Sequence, residues 1–259
     1  MRTAPSPQLQ YRSWTVETLA ISSSLFWVAL AQIIMINILL SGDNAVVIAL
    51  ASRNLPARQQ KQAILFGSIG AIVLRVLLTF FAAYLLTLPY LKLAGAVLLL
   101  WIGVNLLSSH DEDGEMDAHS SLLAAIKTII IADFVMSLDN VIGVAAAARG
   151  SLLLLLIGLG ISIPLIVYGS TVILKLMKRF PVIITLGAGL LGYVAGEMGV
   201  SDPVIGGWVE ARAPLLHHVA PWVCGFVVIA VGKWLSARSC AGSEDLAAAD
   251  VVKAEESAR

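Results

Sequence analysis

Apolar residues run through this chain in long, nearly unbroken blocks, with no strand-like alternation. About 20 apolar residues in helical form cross a bilayer core. Seven stretches approach or exceed that length: roughly 25–51, 63–88, 90–107, 122–148, 152–174, 181–199 and 218–235. The pattern predicts an all-α, polytopic membrane protein with seven transmembrane helices. A membrane β-barrel is excluded, because its strands alternate apolar and polar positions over about ten residues. Only Leu88-Pro89-Tyr90 joins the second and third stretches, which predicts a tight turn.

Polar residues divide the rest of the chain. The expected organisation is a polar N-terminal tail at 1–20, a first unit of three helices at 21–107 and an acidic loop at 108–121. A second three-helix unit follows at 122–200, then a loop at 201–217, a last helix at 218–235 and a tail at 236–259. The tail is rich in Ala, Glu, Asp and Lys, so it is expected to be disordered or weakly helical. Ala29-Leu30-Ala31 has the form of a leader cleavage site, but Ser22 to Ser24 interrupt the apolar run before it and Glu17 sits upstream. The run also continues well past Ala31, so the first stretch reads as a span and not as a leader.

Composition sharpens this picture. Hydrophobic residues make up 58% of the chain and charged residues 13%. An ordinary soluble domain has about 45–50% and about 25%. So few charges exclude a soluble enzyme and a disordered chain. Net charge is zero, with 17 basic and 17 acidic residues, so no global field points to nucleic acid. Two cysteines, one in an apolar run and one in the polar tail, form no disulfide framework.

Orientation follows from Lys and Arg placement. With seven spans, one side carries Arg53, Arg58, Lys61, Lys127, Lys175, Lys178, Arg179, Lys233, Arg238, Lys253 and Arg259. The other side carries Arg2, Arg12, Lys92, Arg149 and Arg212. The expectation is a protein of the cell inner (plasma) membrane with its N-terminus outside and its C-terminus in the cytoplasm. The loop at 108–121 is then cytoplasmic and the loop at 201–217 external.

The chain also resembles itself. A shift of 96 residues carries Asn37, Ser41, Asp43, Asn44 and Arg53 onto Asp133, Ser137, Asp139, Asn140 and Arg149. A shift of 92 carries Gly95-Ala96, Trp101 and Asn105 onto Gly187-Ala188, Tyr193 and Glu197. The first and fourth stretches cross in opposite directions. Two inverted three-helix repeats plus one extra helix are the plan of many secondary transporters, with the substrate site between the repeats.

Carboxylates inside a bilayer cost about 2.5–3.5 kcal/mol each even on the lenient insertion scale. Asp43, Asp133 and Asp139 lie within apolar stretches and Glu197 near the end of one. They need partners or a task. Carboxylate and amide oxygens suit hard divalent cations such as Mg²⁺, Mn²⁺ and Ca²⁺. Soft ligands are almost absent from the spans. Depth along unbroken helices predicts three polar layers: Asp43, Asn44 and Asn105 inside, Asn37 and Asp133 in the centre, Asp139, Asn140 and Glu197 outside. Asn37, Ser41 and Asn44 share a helix face, as do Asp133, Ser137 and Asn140, while Asp43 and Asp139 point elsewhere. Bringing all of them to one cavity requires local unwinding near Ser41-Gly42. Arg75, mid-span, is expected to pair with a central carboxylate, Asp133 first, either as structural glue or as a tethered cation. Gly187, Gly189, Gly192, Gly196 and Gly199 predict close helix packing. The acidic run from Asp111 to Asp117 lacks the pattern of an EF-hand and reads as a solvated linker or a cation-attracting surface.

Leu40-Ser41-Gly42-Asp43-Asn44-Ala45 and Met136-Ser137-Leu138-Asp139-Asn140-Val141, with Gly196-Glu197-Met198 in the sixth stretch, resemble the TerC family of integral membrane proteins. Within that family the short YjbE-type branch is the most similar. The resemblance covers roughly 20–235 and implies manganese efflux from the cytoplasm and kinship with LysE-type exporters. Carried over by motif, it makes Asp43, Asn44, Asp139 and Asn140 the metal-path residues, with Glu197 as a further acid. The expected metal set is thus Asp43, Asn44, Asp139, Asn140, Asp133, Glu197 and Asn37. Manganese is the substrate, and no bound cofactor or nucleic acid is expected.

Expelling a dication against 100 mV costs about 4.6 kcal/mol, so efflux calls for coupling, with protons the natural counter-ion at carboxylates. Three alternatives stand beside metal export. One is an exporter of a small organic solute of the LysE kind. Another is a non-transporting membrane partner in assembly or stress. The third, an intramembrane aspartyl protease, fits poorly: Leu40 replaces the first Gly of G-x-G-D, and the Asn after each Asp has no role there. No nucleotide-binding G-x-x-x-x-G-K-[ST] motif occurs. The chain is read as a transporter and not an enzyme.

Overall fold

The computed structural model describes residues 24–39, 41–85, 88–108, 118–148 and 152–257. These residues are helical throughout, apart from short turns, and contain no strand. The helices are α1 (Ser24–Leu39), α2 (Ser41–Ser52), α3 (Ala57–Leu85), α4 (Leu91–Ser108), α5 (Ala118–Ala148), α6 (Leu152–Arg179), α7 (Val182–Val200), α8 (Pro203–Arg212) and α9 (Leu216–Ser257). Among the described residues, six helices are long and apolar enough to cross a membrane, lying within α3, α4, α5, α6, α7 and α9. α1 and α2 contribute two shorter apolar helices, Phe26–Met35 and Gly42–Ser52.

The apolar stretch at 25–51 is thus described as two helices, with Leu40 between them outside the described residues. Ser41, Gly42 and Asp43 form the first turn of α2. The Asn44 amide is donated to the Asp43 carboxylate at 2.8 Å. Amides in a helix's first turn have no carbonyl of their own helix to meet, and a nearby carboxylate satisfies one. The tight turn at Leu88-Pro89-Tyr90 holds: Tyr90 takes φ 64, the left-handed region that a non-glycine residue rarely enters.

Inside and outside are inverted relative to a soluble fold. Large apolar side chains such as Phe80, Phe81, Trp101, Tyr168 and Phe226 face outward, and Arg75, Asp133 and Ser137 are buried. An apolar exterior of this kind is what lipid covers. One contiguous core cluster joins residues of α1 to α7. α9 lies beside it, sharing a smaller cluster of Leu107, Ala188 and Val228 with α4 and α7.

The helix pairs come in matched sets. α3 packs along α5, and α1 with α2 packs along α6; α4 touches α5 as α2 touches α7; α4 and α7 pack on each other. Exchanging α1–α4 with α5–α7 in order turns each of these contacts into another of the set.

α7 and α9 meet backbone to backbone. A Cβ on Gly192 would lie 2.6 Å from the Cys224 carbonyl oxygen, and one on Gly196 2.6 Å from that of Ala220. These glycines therefore set the α7–α9 spacing, as the small-residue pattern predicts. Gly196→Ala is expected to cost about 1–3 kcal/mol through forced separation, read as a lowered melting temperature in detergent micelles. Gly207, whose Cβ would meet nothing within 4 Å, is the matched control.

The segment at 201–217, expected as a loop, contains α8. Asp202 builds it. Its side chain accepts from the Val204 amide at 3.0 Å and from the Leu93 amide at 3.1 Å. One fully buried carboxylate thereby caps both α8 and the first turn of α4. Caps and charge-assisted hydrogen bonds contribute about 1–3 kcal/mol each. Asp202→Ala is expected to lose about 3 kcal/mol, with Asp202→Asn keeping part of it; equal melting points for all three proteins would remove the double cap. The tail, expected to be disordered or weakly helical, continues α9 as helix through Ser257. Residues 118–121 of the expected acidic loop open α5, and residues 109–117 lie outside the described residues.

Candidate functional site

Two polar levels lie next to each other inside the bundle. The first joins α3 to α5. Arg75 Nη2 donates to Asp133 Oδ1 at 2.7 Å, and Arg75 Nε donates to Ser137 Oγ at 3.0 Å. Ser137 Oγ donates to Asp133 Oδ2 at 3.1 Å. Asp133 and Ser137 stand four apart on one face of α5, so a single guanidinium reaches both. The Thr79 hydroxyl donates to the Arg75 carbonyl at 2.7 Å. This is the pairing that a lone mid-span arginine predicts. Asn44 of α2 is buried beside it and shares with Asp133, Val47, Ile48 and Ile129 a void of about 10 Å³.

The second level is a cavity of about 390 Å³ lined by residues of four helices. α2 supplies Asp43 from its first turn, and α5 supplies Asn140 and Met136. α7 supplies Glu197, Val194 and Met198. Lys92 enters from the first turn of α4, and Ser201 closes the rim after α7. The cavity stands at the end of the bundle where α4 begins and α7 ends. It holds two carboxylates, one amide and one ammonium in an otherwise apolar bundle. Such a set has the chemistry to hold a cation, or a molecule that carries both charges.

Among the described residues, the three expected polar layers are not kept apart. Asp43, expected at the inner level, lines the same cavity as Asn140 and Glu197, expected at the outer level. Asn44, expected beside Asp43, lies instead at the Asp133 level. The reason is the restart of the chain as α2. Asp43 sits at the top of a 12-residue helix, about 13 Å above Ser52 at 1.5 Å per residue. Counting down one unbroken helix places it too deep. Asn105 is exposed near the end of α4, away from both levels. Asn37 lies on α1 and Asp139 on α5, but their side chains are outside the described residues. No group of three His, Cys, Asp or Glu side chains converges at metal-binding distance among the described residues.

Lys92 is the cavity residue that the sequence reading missed, since it counted only as an external positive charge. Its place two residues after the Pro89-Tyr90 turn, at the start of an apolar helix, was the available signal.

Comparison with known proteins agrees with this architecture. The family described as Integral membrane protein TerC matches residues 22–239. Membrane protein YjbE of Bacillus subtilis is 43% identical over 197 residues, spanning 74% of this chain and 90% of its own length. Membrane protein YceF of the same organism is 23% identical over 206 residues, spanning 76% and 80%. Inner membrane protein YgdQ of Escherichia coli is 25% identical over 183 residues, spanning 64% and 77%. No solved structure matches the chain.

Proposed function

We propose that this chain, which belongs to the TerC family of integral membrane proteins, exports a hard divalent cation, manganese first, from the cytoplasm. The observation that carries the reading is the cavity in which Asp43, Asn140 and Glu197 come together from three helices, drawn from both halves of the chain. Two carboxylates offset the charge of a dication where the surrounding bundle cannot. The choice of manganese rests on the family resemblance of the Asp-Asn motifs.

The proposed architecture treats α1 and α2 as one broken span, giving seven crossings, with α1–α4 and α5–α7 as inverted repeats. The matched helix contacts support it. Broken helices at the repeat interface are where such transporters bind their ions. The repeats differ where it matters. At the position that the 96-residue shift matches to Asp133, the first repeat carries neutral Asn37, so only one half needs a partner such as Arg75. The Lys and Arg distribution supports a cytoplasmic position for the Arg53, Lys178 and Lys233 end. The inner-membrane assignment is carried by the name of the Escherichia coli relative. Coupling to protons follows from the need of a carboxylate to lose its proton before it takes a metal.

The test is total cell manganese after a manganese load, in cells without their own exporter. Wild type is expected to lower it and Asp43→Asn to leave it high, with both proteins verified in the membrane. Equal manganese in the two sinks the reading. An imposed pH gradient is expected to change the export rate.

One observation favours a second reading. The cavity far exceeds the volume of a bare ion, and it pairs an ammonium with two carboxylates. That suits a small zwitterion, as a LysE-like exporter of organic solutes would carry. Competition separates the two: Mn²⁺ blocks export of labelled metal under the first reading, and amino acids do not.

A further inference from the structure

A second polar cavity, of about 430 Å³, lies at the opposite end of the bundle. Its charged lining is Arg53 from the α2–α3 turn, Lys178 from the last turn of α6 and Lys233 from α9. Three separate elements converge to bring these cations round one space. Among the described residues, no carboxylate lines it. Arg53 Nε donates to Asn54 Oδ1 at 3.0 Å, and Lys178 Nζ donates to Gln60 Oε1 at 3.3 Å. Gathering three positive charges repels unless an anion joins them.

The deeper wall is apolar, formed by Leu107, Leu174, Met177 and Ile184. Thr185, Asn54 and Ser236 add hydroxyl and amide groups. The cavity is therefore cationic on one side and greasy on the other.

Aromatic residues beside basic ones suit its rim to the headgroup level of a bilayer. Trp234, exposed and adjacent to Lys233, carries the Arg238 guanidinium 3.9 Å from its ring centroid. Phe180, exposed and next to the lining residue Pro181, has Arg179 at 5.7 Å. Aromatic rings with basic neighbours gather at the headgroup level of membranes.

We propose that this cavity binds a phosphate-bearing anion, the chemistry shared by an anionic lipid headgroup and a soluble phosphate. Basic pockets between membrane helices on the cytoplasmic side are known to hold anionic headgroups, and the volume lies within the range of ligand sites. The apolar wall gives the glycerol and upper acyl carbons of a lipid a surface that inorganic phosphate does not need. The site is remote from Asp43 and Glu197, so it stands or falls independently of the transport reading.

The experiment uses the full chain in detergent micelles. Native mass spectrometry and thermal unfolding are run with added phosphatidylglycerol, with phosphatidylcholine, or with inorganic phosphate alone. Phosphatidylglycerol is expected to stay bound and raise the melting temperature, and phosphatidylcholine to do neither. The triple variant Arg53→Gln/Lys178→Gln/Lys233→Gln is expected to bind it about 100-fold more weakly, at about 1 kcal/mol per cation. Arg58→Gln/Lys61→Gln, at the same end but outside the cavity, is expected to bind as wild type. If the triple variant does not fold, the exposed single Lys233→Gln is read instead, with a loss of about 5-fold. A stabilisation by inorganic phosphate that the same cations control supports the site with a soluble ligand. Equal retention of both lipids, or no dependence on the three cations with either probe, overturns the proposal.

Discussion

Arg75→Ala is expected to cost about 3–5 kcal/mol of stability, the penalty for leaving a buried charge without its partner. The Arg75 guanidinium serves Asp133 and Ser137 together, at 2.7 and 3.0 Å, with both ends buried. Removing it strands the Asp133 carboxylate in an apolar interior, where water has almost no room beside it. Asp133→Leu alone strands the guanidinium and is expected to be as damaging. The double variant Arg75→Met/Asp133→Leu is expected to recover most of the loss, because replacing a buried pair by apolar side chains is often close to neutral. Unfolding of wild type, Arg75→Met, Asp133→Leu and the double variant in one detergent, as a double-mutant cycle, measures the coupling. Additive losses would mean the pair is not an energetic unit. Arg75→Lys divides the two roles left open for this residue. Lysine keeps the charge but cannot give the fork of Nη2 and Nε. If Arg75 is structural glue, Arg75→Lys loses stability and keeps export per folded molecule. If it is a tethered cation acting in transport, the double variant folds and does not export.

That pair was legible in the sequence because it needs little geometry. A lone cation and a lone acid in apolar helices must find each other, and only a few partners exist. Six of the seven expected membrane spans were legible for the same reason: apolar length is a property of each segment by itself. The α7 glycines also announced themselves, since small residues at helical spacing have few other uses in a bilayer. Depth was not legible. It depended on whether the chain from Ser24 to Ser52 runs as one helix, and a single restart at Ser41 puts Asp43 in the cavity at the end of the bundle where α4 begins, not at the inner level. Asp202 was passed over as a loop acid, although Asp202-Pro203 is a helix-start signal. Its second bond, to Leu93, spans 109 positions of sequence and no local pattern contains it. The cationic cavity was hidden likewise. Arg53, Lys178 and Lys233 were read as topology signals, and only the tertiary fold, which brings the α2–α3 turn, the end of α6 and α9 round one space, assembles them.

Lys92→Ala is expected to change transport in opposite directions under the two readings of the Asp43 cavity, which makes it the most informative variant. Lys92 shares that cavity with Asp43 and Glu197. If the cargo is a bare dication, the ammonium competes with it for the same carboxylates. A charge pair about 4 Å apart is worth roughly 4 kcal/mol at an effective dielectric near 20. Even a third of that is close to tenfold in affinity. Lys92→Ala should then export at about tenfold lower cytoplasmic manganese than wild type. If the cargo is a zwitterion, the same ammonium holds its carboxylate, and Lys92→Ala should export about tenfold less well. Asp43→Asn and Glu197→Gln calibrate the comparison. Each removes one of the two negative charges facing a dication, an interaction twice as large per contact, and each is expected to lower apparent affinity roughly 100-fold. The measurement is uptake of labelled manganese, and separately of labelled amino acids, into inside-out vesicles carrying equal amounts of each variant. A Lys92→Ala protein that moves manganese at lower concentration, beside inactive Asp43→Asn and Glu197→Gln proteins, requires a cation in contact with those acids. A Lys92→Ala protein that loses amino-acid transport, with manganese transported by none of the four, moves the chain to the organic-solute exporters. Unchanged transport in all three variants would place the path elsewhere in the bundle.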